Sequence, residues 1–532
     1  MSDVPNIDVT TKKNEIEICW AKFAADHSPF KKNSSLSLLI SHLETCFNQE
    51  FKLLESKTYF ASYCIDLSSI KIKLSSKTLC CFVRTSRASV GDAFRSIIEN
   101  YHAEGQQGYT AVIIVDGPTD ELKERFKGHY ARTLFLNKQL VSSIYTSENW
   151  QLTLSSLLKE ESENIDVLSP YDETGVCSPE LFYGRTYELD VLYRRTSSNC
   201  HALVGCRRVG KTSLMLDIKR RCERLGEKCF YIDFQNCYDK RDFIETLIRE
   251  TRRKDLENKN IWTVKEYVQR LANLEGPVVN LFLDEMDSVS VFDKQNNYKI
   301  IKDLTVATNL SGKAQVKIWI AGFKELYWAT ADRKGPLYNK LRAEVIGPLE
   351  QHDAEKLITT PIKQLGLKFE NEQAQLRYII GVTNSHPGFL QLYCRLLIKE
   401  LSKTNKTVIN TEHLEAVRQH PDLLDYIRDY FAINTTALEK MIVLSMLDFK
   451  NFSQEMVSET LTKYSNIELK YKPLYKEMRD LRFGGIFSQV GELFSFQFPI
   501  LAEVLRKSAD YIKGDELDRA HECAIRVNNK ST

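Results

Sequence analysis

No stretch of this 532-residue chain is apolar over the length needed to cross a bilayer. The opening residues, Met1 to Asn14, are polar and lack the apolar region of a signal peptide. The sequence therefore predicts a cytoplasmic protein with no membrane partner. Neither sign of charge is in excess: the formal net charge is +2, so no global field draws the chain to nucleic acid, and any such contact has to be local. The 13 cysteines include no C-x-x-C pair. Cys80, Cys81 and Cys229 lie on strand-like runs and read as reduced small hydrophobes rather than zinc ligands or disulfides. Residues 1 to 160 show no nuclease, protease or glycosidase constellation. Asp116 closes a strand-like run there, but an acidic residue opening the Gly117-Pro118 turn is the commoner reason for it.

What the chain does have is Gly205-Cys206-Arg207-Arg208-Val209-Gly210-Lys211-Thr212-Ser213, which fits the G-x-x-x-x-G-K-[ST] phosphate-binding pattern. A polyphosphate has to be ringed by donors closer than side chains allow. Gly205 and Gly210 let the backbone turn its N–H groups onto the oxygens. Lys211 supplies positive charge to the β- and γ-phosphates, and the Thr212 hydroxyl completes a Mg²⁺ shell. The flanks agree, with a short apolar run at His201 to Val204 and apolar residues at helical spacing (Leu214, Ile218, Cys222, Leu225) before Gly226. The expected ligands are ATP and Mg²⁺.

A second half-site is predicted at Val278-Val279-Asn280-Leu281-Phe282-Leu283-Asp284-Glu285, a buried strand ending in two carboxylates. Asp284 would hold Mg²⁺ through water, and Glu285 would polarise the attacking water as general base. A further strand at Cys229 to Phe234 separates the two motifs. That strand and the adjacent Glu look like the additional-strand branch of P-loop ATPases.

The resemblance then becomes specific. Phe182-Tyr183-Gly184-Arg185-Thr186-Tyr187-Glu188-Leu189, the Arg-Arg within the phosphate loop, Phe282-Leu283-Asp284-Glu285, Gly347-Pro348-Leu349 and Ser385-His386-Pro387 occur in the order seen in archaeal-type ATPases. These group with the STAND signalling NTPases and the origin-recognition-like AAA+ proteins. The resemblance covers residues 168 to 400, and less closely the region to 505. It implies that Arg185 and Glu188 edge the adenine site and that Pro387 lies in a helical lid reading the nucleotide. His386 reads as a candidate sensor or as a structural His before proline, and Arg342, just before the fifth strand, as an arginine finger or an ordinary surface Arg paired with an acid. Ser385 departs from the family's usual Gly. The strand Val316 to Ala321 ends in Gly322-Phe323, where related ATPases often carry a polar sensor residue, and this departure implies slow hydrolysis.

The organisation read from the chain is an α/β protein: a P-loop parallel-sheet core, a helical lid, a C-terminal winged helix and a separate N-terminal α/β domain with a partly parallel sheet. The expected segments are 1–160, 168–350, 351–425, 430–505 and a tail at 506–532. The N-terminal domain should contain strands at Leu79 to Arg84, Ala111 to Asp116 and Arg132 to Leu136, with helices at Gly91 to His102 and Asp120 to Phe126. Core strands are expected near 201–204, 229–234, 278–284, 316–321 and 343–347. The region 430–505 reads as helix, helix, helix, hairpin, with Pro473 as the first residue of the third helix and Gly491-Glu492 as the hairpin turn. Lys470, Lys472, Lys476, Arg479 and Arg482 give that helix a basic edge suited to duplex DNA, while Phe487, Phe494, Phe496 and Phe498 suit a protein interface.

Two functions follow as expectations. One is a slowly hydrolysing ATP switch of the STAND/AAA+ type, for which the resemblance implies prokaryotic stress or phage-defence signalling, a protein partner and homo-oligomerisation on activation. The other is an ATP-dependent DNA-binding regulator or loader.

Overall fold

The computed structural model describes residues 9–26, 28–30, 34–56, 60–65, 67, 78–83, 110–116, 132–161, 169–171, 175–177, 181–194, 200–252, 263–308, 314–331, 337–338, 340–404, 406–465 and 471–512. The helices expected at 91–102 and 120–126, Lys470, and residues 513–532 of the expected tail lie outside these. The chain folds into two compact units, one of residues 1–171, 357–372 and 394–413 and one of 172–356, 373–393 and 414–532.

In the first unit, helices α1 (Val9–Ala25), α2 (Ser34–Phe47), α3 (Lys138–Thr146) and α4 (Trp150–Glu161) accompany a sheet of β1 (Lys52–Ser56), β2 (Phe60–Ile65), β3 (Thr78–Val83), β4 (Thr110–Val115) and β5 (Arg132–Leu136). The sheet runs in order β1-β2-β3-β4-β5. β1, β2 and β3 pair antiparallel, and β3, β4 and β5 pair parallel. Phe82 on β3 meets Phe23 of α1 edge-on, with centroids 6.5 Å apart. Cys80 and Cys81 are buried within this sheet, and burial pushes both thiols far above their usual range.

The second unit begins with α5 (Thr186–Arg194) and is built on β6 (Cys200–Val204), β7 (Lys228–Asp233), β8 (Val278–Asp284), β9 (Gln315–Gly322) and β10 (Arg342–Val345). All five strands run parallel in the order β10-β6-β9-β8-β7. Counted from the phosphate-loop strand this order is 5-1-4-3-2: β9 inserts between β6 and β8, so the sheet is the additional-strand P-loop arrangement expected from the sequence. Parallel strands are covered on both faces and read as continuous apolar runs. Accordingly β8 is buried along nearly its whole length. The intervening helices are α6 (Lys211–Arg224), α7 (Lys240–Thr251), α8 (Val264–Glu275), α9 (Met286–Asp293), α10 (Lys299–Ala307) and α11 (Lys324–Ala331).

Beyond the sheet come α12 (Gln351–Gln364), α13 (Glu372–Thr383), α14 (Pro387–Thr404), α15 (Thr411–Arg418) and α16 (Pro421–Asn434). Next are α17 (Ala437–Ser445), α18 (Gln454–Ser465), α19 (Tyr471–Phe483), the antiparallel pair β11 (Phe487–Val490) and β12 (Leu493–Phe496), and α20 (Pro499–Ile512). Thr436 caps α17 in a reciprocal box with Glu439. Gly491 opens the hairpin turn at φ +63°, a conformation glycine adopts without strain.

Two sequence expectations are corrected here. Helix α19 begins at Tyr471, two residues before Pro473; proline is tolerated there because the N–H groups of a first turn have no intrahelical partner. The aromatic hairpin is not an open interface, since Phe487, Phe494 and Phe498 are buried. Phe452 pairs its backbone with Phe494, at 3.0 and 2.8 Å, and its ring packs on Phe487 at 4.9 Å. Among the described residues no helix is long and apolar enough to cross a membrane, no cluster of acidic, His and Cys side chains is set to hold a metal, and none of the twelve cysteines is in a disulfide.

Candidate functional site

The loop from Gly205 to Ser213 joins β6 to α6. Gly205 cannot bear a side chain, because a Cβ there would lie 2.4 Å from the Ile346 carbonyl. Gly210 sits at φ +95° as the N-cap of α6, and Arg208 also takes a left-handed φ of +61°. These turns fold the loop over the helix N-terminus, where backbone N–H groups and the helix dipole favour a phosphate. Lys211 Nζ donates to the carbonyls of Gly205 (3.0 Å) and Cys206 (2.9 Å), which holds the ammonium across the loop.

Thr212 Oγ1 donates to Asp284 Oδ2 at 2.7 Å. The structure thereby brings the two expected Mg²⁺ ligands together. Hard oxygen donors from a hydroxyl and a carboxylate suit Mg²⁺ when phosphate and water supply the remaining ligands, so these residues fit the ion. Asp284 is only 2 % exposed and also accepts from Tyr231 Oη at 2.8 Å. Burial, and after it the Asp284 charge, push the Tyr231 phenol well above its usual range, which keeps it a donor to this carboxylate. Tyr231 was not foreseen; its only trace is its position on the strand next to β8.

Glu285 follows in the left-handed region at φ +53°, its N–H donating to Asp284 Oδ1 at 2.9 Å. The side chain is exposed. Desolvation at the strand end, with Asp284 adding to it, raises its pKa from the ordinary carboxylate value, against the lowering effect of Lys211 and Arg207. A carboxylate with a raised pKa is a stronger base than a free glutamate.

At the end of β9, where the sequence has Gly322 in place of a polar residue, a side chain has no room. A Cβ on Gly322 would lie 2.9 Å from Leu326 Cδ2 and 3.0 Å from Asp287 Oδ2. Asp287 accepts from Phe323 N–H and, at 3.5 Å, from Leu326 N–H, and so closes the start of α11. Burial raises the Asp287 pKa, partly offset by Lys211 and by those N–H groups. Sequence reasoning passed over Asp287, although a third carboxylate in Asp284-Glu285-Met286-Asp287 was there to be noticed.

Arg185 lies at the edge of the loop and is buried. Its guanidinium donates to Val209 O (3.0 Å), Gly347 O (2.7 Å), Pro348 O (3.5 Å) and Glu188 (2.7 Å). These bonds tie the phosphate loop to the end of β10. The chain approaches Ser385-His386-Pro387 with Asn384 at φ +48° and Ser385 at φ +55°. The position where the family usually has Gly is thus one that glycine suits. Pro387 opens α14, and His386 precedes it, buried, with Nε2 3.8 Å from Cys206 Sγ. Burial lowers the His386 pKa to about 3, and Arg185, Lys211 and Arg208 act in the same direction, so the ring is neutral. Arg342 pairs with Glu344 at 3.3 Å and is exposed.

The C-terminal helices reach this loop directly. Arg207 N–H donates to Asn434 Oδ1 at 3.4 Å, and the Arg208 guanidinium lies 4.4 Å from the Tyr426 ring centroid. Lys324, at the start of α11, donates to Asn434 O (2.7 Å) and to both oxygens of Glu439 (2.9 and 2.7 Å). Trp328 Nε1 donates to Asp480 at 2.5 Å. Arg479 donates to Tyr327 Oη at 3.0 Å and covers the Trp328 ring at 4.5 Å. The basic edge expected on α19 is therefore divided, with Arg479 turned onto α11 while Lys476 and Arg482 are exposed.

Residues 194–327 match the family model described as AAA domain. Among solved structures, the Walker-type ATPase of Pyrococcus abyssi is 14 % identical, the alignment covering 61 % of this chain and 96 % of that one at a TM-score of 0.44. The ORC2 protein of Aeropyrum pernix, solved in ADPNP–ADP complexes, is 11 % identical over 67 % and 98 % at 0.45. Thermotoga maritima RuvB is 12 % identical over 59 % and 92 % at 0.35. No curated protein matches the sequence. With the parallel sheet and phosphate loop already described, the second unit has the core fold of a nucleotide-binding P-loop ATPase, and its residues 194–327 are similar to the AAA domain family.

Proposed function

We propose that this chain is an ATP-binding, slowly hydrolysing molecular switch of the STAND/AAA+ type, whose C-terminal winged helix responds to the nucleotide. The observation that carries the reading is the contact of Asn434 and Tyr426 with Arg207 and Arg208. These arginines belong to the loop that wraps the phosphates, so a change in bound nucleotide alters the footing of the helices that follow. In this reading Gly205 to Ser213 hold the phosphates, Lys211 neutralises charge, Thr212 and Asp284 hold Mg²⁺, and Glu285 is the base. Mg²⁺, when bound, would neutralise the phosphate oxygens. Arg185 acts by positioning the loop, and Pro387 marks the lid. Slow turnover follows from Gly322, where no side chain can reach toward a reacting water. Prokaryotic stress or phage-defence signalling, with a protein partner and assembly of copies on activation, is the setting that the family resemblance supplies.

The DNA-binding reading rests on the exposed Lys476 and Arg482 of α19. Against it, Arg479 is already bonded to Tyr327. Turnover and ATP affinity of wild type and Glu285→Gln, with and without duplex DNA, test both. The switch reading expects the variant to retain affinity and lose turnover, and expects the wild-type acid limb to lie above the usual glutamate range. Residual turnover near wild type would place the base elsewhere. Salt-dependent DNA binding that stimulates hydrolysis would favour the regulator or loader.

A further inference from the structure

A cavity of about 290 Å³ lies within the second unit beside Cys206. Arg479, Arg482, Tyr327, Phe483, Phe498 and His386 contribute to its wall. Of the phosphate loop only Cys206 lines it, and neither Asp284 nor Glu285 does. Its lining includes two guanidinium groups and no carboxylate, so an anion inside would meet attraction without a compensating acid. The Arg479 guanidinium donates to Tyr327 Oη at 3.0 Å and that of Arg482 to Gln489 Oε1 at 2.7 Å; a guanidinium carries five N–H donors. Tyr327 and Phe483 stack with centroids 4.2 Å apart, giving the wall a flat aromatic element.

A third observation concerns His386. It is buried, and its Nδ1 has no hydrogen-bond partner. Its Nε2 lies 3.8 Å from Cys206 Sγ, the one residue that the cavity shares with the phosphate loop. A buried ring nitrogen without a partner is a polar group left for a ligand or water to meet. The cavity volume sits at the small end of ligand pockets, about 300–1,000 Å³, which suits one ring system with one anionic group rather than a nucleoside triphosphate.

We propose that this cavity binds a small planar aromatic anion, its acidic group held by Arg479 and Arg482 and its ring placed among Tyr327, Phe483 and Phe498. The site is separate from the phosphate loop yet shares Cys206 with its wall. Because α11 and α19 both contribute to it, the occupant braces the ATPase sheet against the C-terminal helices and would be coupled to nucleotide affinity.

The test uses the full chain with saturating ADP and Mg²⁺ to occupy the phosphate loop. 1-Naphthyl phosphate is titrated by calorimetry, with 1-naphthoate, inorganic phosphate and 1-naphthol as comparison probes. One naphthyl phosphate should bind per chain, and phosphate and naphthol should each bind at least about tenfold more weakly, since each makes only part of the contact. Comparable binding of naphthoate would point to a carboxylate ligand; preference for the phosphate would point to a phosphorylated one. Arg482→Gln should weaken binding about tenfold or more, in line with loss of a charge-assisted bond. Arg479→Gln also loses the Tyr327 contact, so Val345→Trp is the second variant: Val345 lines the cavity and is 56 % exposed, and the indole should fill the mouth and abolish binding while the fold is kept. Absence of probe binding would overturn the proposal, as would displacement of the probe by ADP or wild-type affinity in both Arg482→Gln and Val345→Trp.

Discussion

The Lys324–Glu439 pair gives the sharpest test of how the ATPase sheet is joined to the C-terminal helices. Glu439 is 1 % exposed and accepts two bonds from Lys324 Nζ, while its other structural duty is to accept from Thr436 N–H at 2.7 Å in the cap of α17. Lys324→Met removes the cation and leaves the carboxylate buried. Breaking a buried pair from one side typically costs about 3–5 kcal/mol. Glu439→Gln leaves a milder defect of about 1–3 kcal/mol, because the amide oxygen can still serve the Thr436 cap. In Lys324→Met/Glu439→Gln no charge is stranded, so the double variant should be more stable than Lys324→Met alone. A chain with two compact units is unsuited to a single unfolding free energy, so local opening is the proper measure. Amide exchange over Ala437–Ser445 should accelerate roughly 10²- to 10⁴-fold in Lys324→Met, at about 1.4 kcal/mol per factor of ten, and recover much of that in the double variant. A cost near that of an exposed pair, about 0–1 kcal/mol, or a double variant no better than Lys324→Met, would refute the coupling.

Two other predictions concern the phosphate loop and its histidine neighbour. Lys211→Ala removes the charge that bridges Gly205 O and Cys206 O and should abolish measurable ATP binding by calorimetry; wild-type affinity would place the nucleotide elsewhere. His386 has a folded-state pKa of about 3 against about 6.5 in an unfolded chain. Between those values the unfolded chain takes up a proton that the folded one refuses, so stability falls as pH drops, by up to about 1.4 kcal/mol per unit. The raised pKa of Asp287 has the opposite sign, since protonation there favours the folded state as pH falls. The comparison is therefore between proteins: after correction for the intrinsic exchange rate, wild type should lose about 1.6 kcal/mol of protection near α14 between pH 6.5 and pH 5 that His386→Phe keeps. Equal losses in the two would show that His386 is not the titrating group.

Much of the ATPase sheet was legible because its strands are buried on both faces and stand out as apolar runs between helical patterns. The phosphate loop and the Asp284-Glu285 pair were legible because their chemistry constrains residue type at fixed spacing. β1 was not: Lys52–Ser56 is mostly exposed, its pairing slips between Leu53 and Glu55, and no apolar alternation marks it. Nor could the sequence show that Arg479 turns onto Tyr327, or that Lys324 reaches Glu439. Both pairs join residues more than a hundred positions apart, and neither partner's local pattern names the other. The aromatic hairpin shows the converse problem, since exposed and buried phenylalanines have the same appearance until Phe452 is placed against them.

The missing sensor illustrates how a sequence-level absence gains a cause. The strand ending in Gly322-Phe323 was legible as lacking a polar residue, and slow hydrolysis was inferred from that lack alone. In the fold, the space a side chain would enter is already occupied by Leu326 and Asp287, and Asp287 accepts from the N–H of the residue that follows. Glycine and carboxylate are thus two parts of one arrangement. A polar residue introduced at 322 would displace Asp287 from the start of α11, the helix that also carries Lys324, Tyr327 and Trp328 to the C-terminal contacts. The packing that excludes a side chain at the strand end is therefore continuous with the contacts that join the sheet to α16, α17 and α19. In the proposed reading, slow turnover and the connection to the C-terminal helices therefore have one structural origin, as a switch that reports its bound nucleotide requires.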